Sequence, residues 1–276
     1  MAIWVDIREA FILKNIYSTL RKPAVPLYRT QAIVLKSMKL SEKDKLVTFL
    51  TETHGKVKCV AKAARRLKSR FGASLEPMSH VSLIYFGKEH QDLYRLNQCD
   101  IIQSFQEIKE NPDTFYTAVY FLELAGHFIA EGHPEPGIFH LLVRSLQEAG
   151  NADSLATLCR LFELRIMAHA GYTPRLQKCI VCHKEPQSLW VGFSYNQHGI
   201  VCEPCFDKEP VETRIKSGTV NYLKKFLSLD LNHVRRLKIP KEVEVEIESI
   251  THRLVLARLG RELKSYPFIR QMAEMN

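Results

Sequence analysis

The chain has 276 residues, 46% of them hydrophobic and 25% charged, with a formal net charge of +9. This length suits two or three compact units, and the composition is that of an ordinary globular protein rather than a disordered or fibrous one. No apolar run approaches the ~18 to 20 residues of a membrane helix, so no span is expected and the expected setting is cytoplasmic.

The positive charge is unevenly spread. Residues 27–105 hold 14 basic and 7 acidic side chains, residues 106–175 hold 5 and 9, and residues 176–276 hold 16 and 12. Polyanion binding is therefore expected first of the front unit, and least of the acidic middle.

Residues 1–26 form an N-terminal extension that closes on Arg21-Lys-Pro-Ala-Val-Pro26, where two prolines stop regular structure. The extension reads as a short amphipathic helix or as disordered. Its scattered charges and missing cleavage site argue against a signal peptide.

From residue 27 to 105 the pattern is β. Strands are predicted over Thr30–Lys36, Asp44–Thr51, Lys56–Ala63, Val81–Phe86 and Asp92–Asn97, the last running on towards Ile102. Thr53-His54-Gly55 reads as a turn. Five short antiparallel strands with little helix between them predict a closed barrel of the oligonucleotide-binding (OB) type. Tyr28, Tyr85, Phe86 and Tyr94 offer stacking surface for bases, or more simply core and rim packing.

The third strand leads into an unusual stretch. Val57 and Cys59 share one face while Lys56, Lys58 and Val60 share the other. Beyond it the chain becomes a basic run of Lys62, Arg65, Arg66, Lys68 and Arg70. No acid interrupts Lys56 to Phe71, so these seven cations are the candidate nucleic-acid contacts, a solvated hairpin being the plainer alternative.

Residues 106–175 read as a helical domain. Phe115, Val119, Leu122, Phe128 and Ile129 recur at helical spacing and predict a helix stopping near Gly132-His133-Pro134. Further helices are predicted over Gly137–Ala149 and Ser154–Ala170. His127, His140 and His169 are expected to be satisfied packing histidines.

Residues 176–210 contain Cys179-Ile-Val-Cys182 and, nineteen residues on, Cys202-Glu-Pro-Cys205. Paired Cys-x-x-Cys knuckles at this separation predict a zinc ribbon, because each knuckle turns two thiolates onto one ion at ~2.3 Å. Disulfides and free thiols are the other readings, with Cys59, Cys99 and Cys159 left over. Four cysteine ligands leave no open position, so the expected zinc is structural, one per chain. Gly192 and Asn196–Gly199 are expected to supply the turns, with His183 and His198 near enough to substitute as ligands.

Residues 211–276 return to helix, over Ser217–Leu229 and Lys241–Gly260, with a tail from Ser265. Arg253, Arg258, Arg261 and Lys264 form either a second cationic patch or an ordinary solvated face. The expected class is thus an α+β multidomain fold: an N-terminal five-stranded OB-fold β-barrel, a helical bundle domain, and a four-cysteine zinc element in the C-terminal half.

In their order these features resemble the RecO family of bacterial recombination mediators. The resemblance rests on Tyr28-Arg-Thr-Gln-Ala-Ile-Val-Leu35 with Ser41-Glu-Lys-Asp-Lys45, on Gly55-Lys-Val with Ala61-Lys-Ala-Ala-Arg-Arg-Leu-Lys-Ser-Arg70 and Leu75-Glu-Pro77, and on the four cysteines after a helical block. It runs from Tyr28 to about Phe268 and leaves out residues 1–26. The family often has Gly where this chain has Ala63. The resemblance implies binding of single- and double-stranded DNA and annealing of complementary strands in DNA repair. It further implies RecR and single-stranded-DNA-binding protein (SSB) as partners, loading of RecA onto coated strands, and a nucleoid-associated place in the cytoplasm.

On this reading no catalysis is required. A zinc-containing nucleic-acid-processing enzyme is the main competitor. It lacks a two-metal carboxylate cluster, a Gly-rich phosphate loop and a His-x-Glu beside the cysteines. An RNA-binding, translation-linked OB barrel is the third reading.

Overall fold

The computed structural model describes residues 25–89 and 91–275. Residues 1–24, and with them the reading of the extension as an amphipathic helix, lie outside the described residues.

Strand-forming runs of Val, Ile, Leu and Phe become β1 (Leu27–Lys39), β2 (Lys45–Thr51), β3 (Gly55–Ala61), β4 (His80–Phe86) and β5 (Tyr94–Gln103). They close into a barrel in the order β1-β2-β3-β5-β4, with β1 pairing back onto β4. All five were expected antiparallel, but β3 and β5 run parallel. A ring of five strands cannot alternate direction all the way round, so one parallel pair is unavoidable.

Alternation in β3 is as predicted: Val57 and Cys59 are buried inside the barrel while Lys56, Lys58 and Val60 face outward. Val34, Val47, Phe49, Leu83 and Leu96 fill the same interior. On the outer face, Ile33, Leu50 and Met78 belong to the core of the helices. The barrel is therefore buried on two sides where the helices meet it.

The helices are α1 (Gln106–Glu110), α2 (Pro112–Phe128), α3 (Pro136–Ala149), α4 (Leu155–His169), α5 (Ser217–Ser228), α6 (Lys241–Leu259) and α7 (Tyr266–Met275). Their ends follow capping chemistry. The Asn111 side chain accepts from Asp113 N and Thr114 N ahead of Pro112, Ser154 caps α4, and Gly260 at φ +66° ends α6. The helix predicted to run to Gly132-His133-Pro134 stops early, at Phe128, because Ile129 turns extended and Glu131 bridges to Lys56 of β3.

The tail from Ser265 is helix α7 instead. Glu123 of α2 accepts from Lys264 N, Ser265 N and Ser265 Oγ at its start, and Phe268 stacks on Tyr116 at 4.8 Å. This cap comes from a residue remote in sequence, so the local Tyr-Pro-Phe-Ile start did not reveal it. Below it, Glu163 and Arg160 are buried together at 3.2 Å, with Tyr120 and Thr251 donating to Glu163.

The three histidines are not packed inside. His127, His140 and His169 are exposed, and they meet Arg261, Glu52 and Gly137 respectively. They sit at the edges of the apolar stripes, where helical spacing alone does not separate core from rim.

The cysteine-bearing segment is a three-stranded sheet of β6 (Trp190–Ser194), β7 (Gly199–Cys202) and β8 (Thr213–Lys216), ordered β7-β6-β8. Gly192 makes no turn. It lies within β6, where an added Cβ would fall 2.5 Å from Val211 and 2.9 Å from Phe206, so close packing and not chain reversal requires it. The turn is Tyr195–His198, with His198 itself at positive φ. Val191, Phe193 and Ile200 extend the apolar core of the helices into this sheet.

Candidate functional site

The seven cations of the basic stretch divide into three groups. Lys56 donates from Nζ to Gly126 O at 2.9 Å. Gly126 lies in the last turn of α2, whose carbonyls have no partner within the helix, so this amine caps a helix C-terminus and favours its dipole. Burial lowers the Lys56 pKa, more than Glu131 raises it. Lys58 pairs with Glu131 at 2.5 Å. Close by, Gly55 stands at φ +66° with His133 O only 2.2 Å from where a Cβ would be, so only glycine admits this approach. The strand half of the stretch is thus docked against the helices.

Both lysines line a groove of about 1060 Å³ between the barrel and α2/α7, floored by Leu35, Met78, Tyr116 and Phe268. The acids absent from the local sequence are supplied here by Glu131, from the far side of the chain.

The second group fastens two loops together. Lys62 reaches Asp44 at 2.8 Å and Ala63 N donates to the same carboxylate at 2.9 Å. Those hydrogen bonds hold the Asp44 carboxyl below its usual range, that from Lys62 most of all. Arg65 donates from its guanidinium to Ser41 O and Glu42 O, both at 2.9 Å, and from its backbone to Lys43 O at 3.0 Å. Ala63 takes φ +58°, the left-handed bend that otherwise favours glycine. The Ser41–Lys45 and Ala61–Arg70 motifs, separate in sequence, are one clamp at one end of the barrel.

The third group is Arg66, Lys68 and Arg70. All three are exposed, and the side chains of Arg66 and Lys68 make no hydrogen bond or ion pair among the described residues. Arg70 lies over the Phe71 ring at 4.8 Å, and Phe71 in turn is buried in the barrel core. The clamp adds Lys39 at the end of β1 and Lys43 in the β1–β2 connection, both exposed, which the sequence reading missed. The Ser41–Lys45 motif gave no signal of them, because Glu42 and Asp44 balance Lys43 and Lys45, and nothing in one dimension placed it beside Arg66.

The aromatics lie elsewhere. Tyr28, His54, Tyr85 and Tyr94 interlock with ring centroids 5.0–6.0 Å apart, and Tyr85 is only 1% exposed. Tyr85 packs the interior, and Tyr28, His54 and Tyr94 are half-buried on the rim beside it near the start of β1. Phe86 lies half-buried under Arg95. Arg253, Arg258 and Arg261 engage Tyr195, Tyr172 and His127 separately and form no common face.

Cys179, Cys182, Cys202 and Cys205 converge, their sulfurs all within 4.8 Å of one another and those of Cys182 and Cys202 at 3.5 Å. A tetrahedron with ~2.3 Å metal–sulfur bonds requires sulfurs ~3.8 Å apart. Burial raises the Cys179 thiol, but N–H donors from Cys182, Cys202 and Val181 outweigh it and bring it to about 6. The donor set fits a tetrahedral zinc ion. Neither His183 nor His198 belongs to the cluster.

The family described as Recombination protein O N terminal matches residues 25–105, and Recombination protein O C terminal matches residues 109–267. The chain belongs to the RecO family. The DNA repair protein RecO of Syntrophus aciditrophicus is 31% identical over 252 residues, covering 90% of this chain and 97% of the relative. Those of Symbiobacterium thermophilum and Thermodesulfovibrio yellowstonii are each 31% identical, covering 88% and 84% of this chain and 96% and 94% of theirs. The two matches meet at residues 105–109, where the barrel ends and the helices begin. The clamp lies wholly within the first, the cysteines within the second. No helix among the described residues is long and apolar enough to cross a membrane.

Proposed function

We propose that this chain is a DNA repair mediator that binds single- and double-stranded DNA on the clamped end of its barrel and anneals complementary strands. The observation that carries this reading is a cluster of exposed cations with no ion pair among the described residues: Arg66, Lys68, Arg70 and Lys43 on two loops fastened together by Arg65 and Asp44, and Lys39 at the end of β1. Cations without protein partners neutralise phosphates and release counterions, which makes binding tight, sequence-tolerant and steeply salt-dependent. Screening the repulsion between two strands on one surface accelerates their pairing without a chemical step. Lys62 and Arg65 hold the surface in shape; Lys56 and Lys58 contribute long-range charge from beside the helices.

The relatives' shared name, DNA repair protein RecO, supports a repair role. We extend it to cooperation with RecR and to loading of RecA onto SSB-coated strands, in the cytoplasm and at the nucleoid. The four cysteines would hold a structural zinc ion that ties the ribbon to the helical core.

Fluorescence-detected annealing of two complementary oligonucleotides, across a salt series and without nucleotide, tests the mediator reading. Acceleration that fades with salt and leaves the strands intact is expected; strand cleavage in the presence of magnesium would overturn it in favour of an enzyme. For the zinc, Cys202→Ser or chelation is expected to lower the melting temperature of the helical and ribbon part while barrel binding of DNA survives. Unchanged melting would remove the structural role.

A further inference from the structure

The clamped tip carries something a plain phosphate-binding surface does not need. Leu67 is fully exposed, the most exposed large apolar side chain among the described residues. Ser69 N donates to Arg66 O at 2.9 Å, so Leu67 and Lys68 are the two central residues of a turn at the loop's apex. The loop is braced on both sides. Arg65 ties one flank to Ser41, Glu42 and Lys43, and Phe71 and Leu75 bury the other in the barrel core. Leu40, on the partner loop, is also about half exposed at 47%. A leucine on a loose loop is unremarkable. One held outward on a braced turn, with Arg66 and Lys68 on either side, is presented to a partner.

We propose that Leu67 is an aliphatic wedge that enters between neighbouring bases of a single DNA strand whose phosphates lie on Arg66, Lys68 and Arg70. The inference rests on the DNA-binding reading above. Base faces are apolar and their stack opens to an aliphatic side chain, while the flanking cations hold the backbone on both sides of the gap. A single strand is favoured over a duplex because only stacking, and no base pairing, is given up. An unstacked strand presents its base edges to a complement, which is what annealing requires. A membrane surface fits the tip less well, since one leucine gives a weak anchor and Glu42 stands exposed on the same clamp.

The test uses the full chain, its Leu67→Ala and Leu67→Met variants, and single-stranded oligonucleotides carrying 2-aminopurine at successive positions. Emission reports unstacking, and anisotropy of the same samples across a salt series reports binding. Wild type is expected to raise emission severalfold where the wedge enters. Leu67→Ala should bind within about threefold of wild type with the same salt slope, since its phosphate contacts remain, yet lose most of that rise; Leu67→Met should restore it. The side chain is fully exposed among the described residues, so all three proteins are comparable. A rise that persists in Leu67→Ala, or no rise in a wild type that binds with a steep salt slope, overturns the wedge and leaves DNA binding standing. No salt-dependent binding by wild type overturns both. Leu67-dependent binding to phosphatidylserine vesicles, with no emission change on DNA, would reassign the tip to a membrane.

Discussion

The two halves of the basic stretch obey the same local rule and meet different fates. In the strand half, alternation turns Lys56 and Lys58 outward from the barrel, but outward there means towards α2. One lysine caps a helix end and the other pairs with Glu131. In the loop half, outward means water, and Arg66 and Lys68 keep their charges unpaired among the described residues. The difference teaches that a run of cations is a polyanion site only where the remainder of the chain brings no acids or carbonyls to it.

Reversing the loop cations should break the comparison most visibly. Arg66→Glu with Lys68→Glu and Arg70→Glu is expected to cost DNA affinity on the order of a hundredfold and to flatten the log–log salt slope by about 2 to 3, with melting unchanged. The strand cations should do the opposite. Lys56→Met leaves the Gly126 carbonyl without its donor and should cost about 1–3 kcal/mol in denaturant unfolding, with a salt slope close to wild type. If Lys56→Met instead lowers DNA affinity and spares stability, the division of the stretch is wrong.

Smaller effects sharpen the picture. Ala63→Gly relieves a left-handed residue and should stabilise the clamp by about 1 kcal/mol, read as a rise of a few degrees in melting temperature. Glu131→Gln frees Lys58 from a half-exposed pair and should change stability by under about 1 kcal/mol, while raising DNA affinity slightly at low salt. The interface between barrel and helices should also respond to pH. His80 packs on Phe139 and meets Gln31, and burial lowers its pKa more than Glu52 raises it. The unfolded chain therefore takes up its proton first, so this stability is present above about pH 6.5 and is lost as pH falls through the lowered value. His80→Gln should remove that portion of the pH dependence of melting.

Much of the fold was legible because local physics decided it. Period-two alternation placed Val57 and Cys59 inside, helical spacing from Phe115 and the range from Ser154 located α2 and α4, and the knuckle spacing brought four sulfurs together. The misses share a cause. Helix α7 needed the Glu123 carboxylate at its start, Gly192 was read as a turn when Val211 and Phe206 required it, and the missing acids of the basic stretch came from Glu131 and Asp44. Each depended on a partner remote in the chain.

The sequence by itself determined the barrel strands, the helical stripes, the cysteine centre and the excess of positive charge on the front unit, since periodicity, capping and ligand spacing are properties of neighbouring residues. Tertiary structure alone decided which cations remain free. It folded the Ser41–Lys45 and Ala61–Arg70 motifs into one clamp, consumed Lys56 and Lys58 in holding the helices, and left Leu67 standing among charges unpaired within the described residues. A charge is available to a ligand only after the fold has taken its share, and that is settled by contacts between residues far apart along the chain.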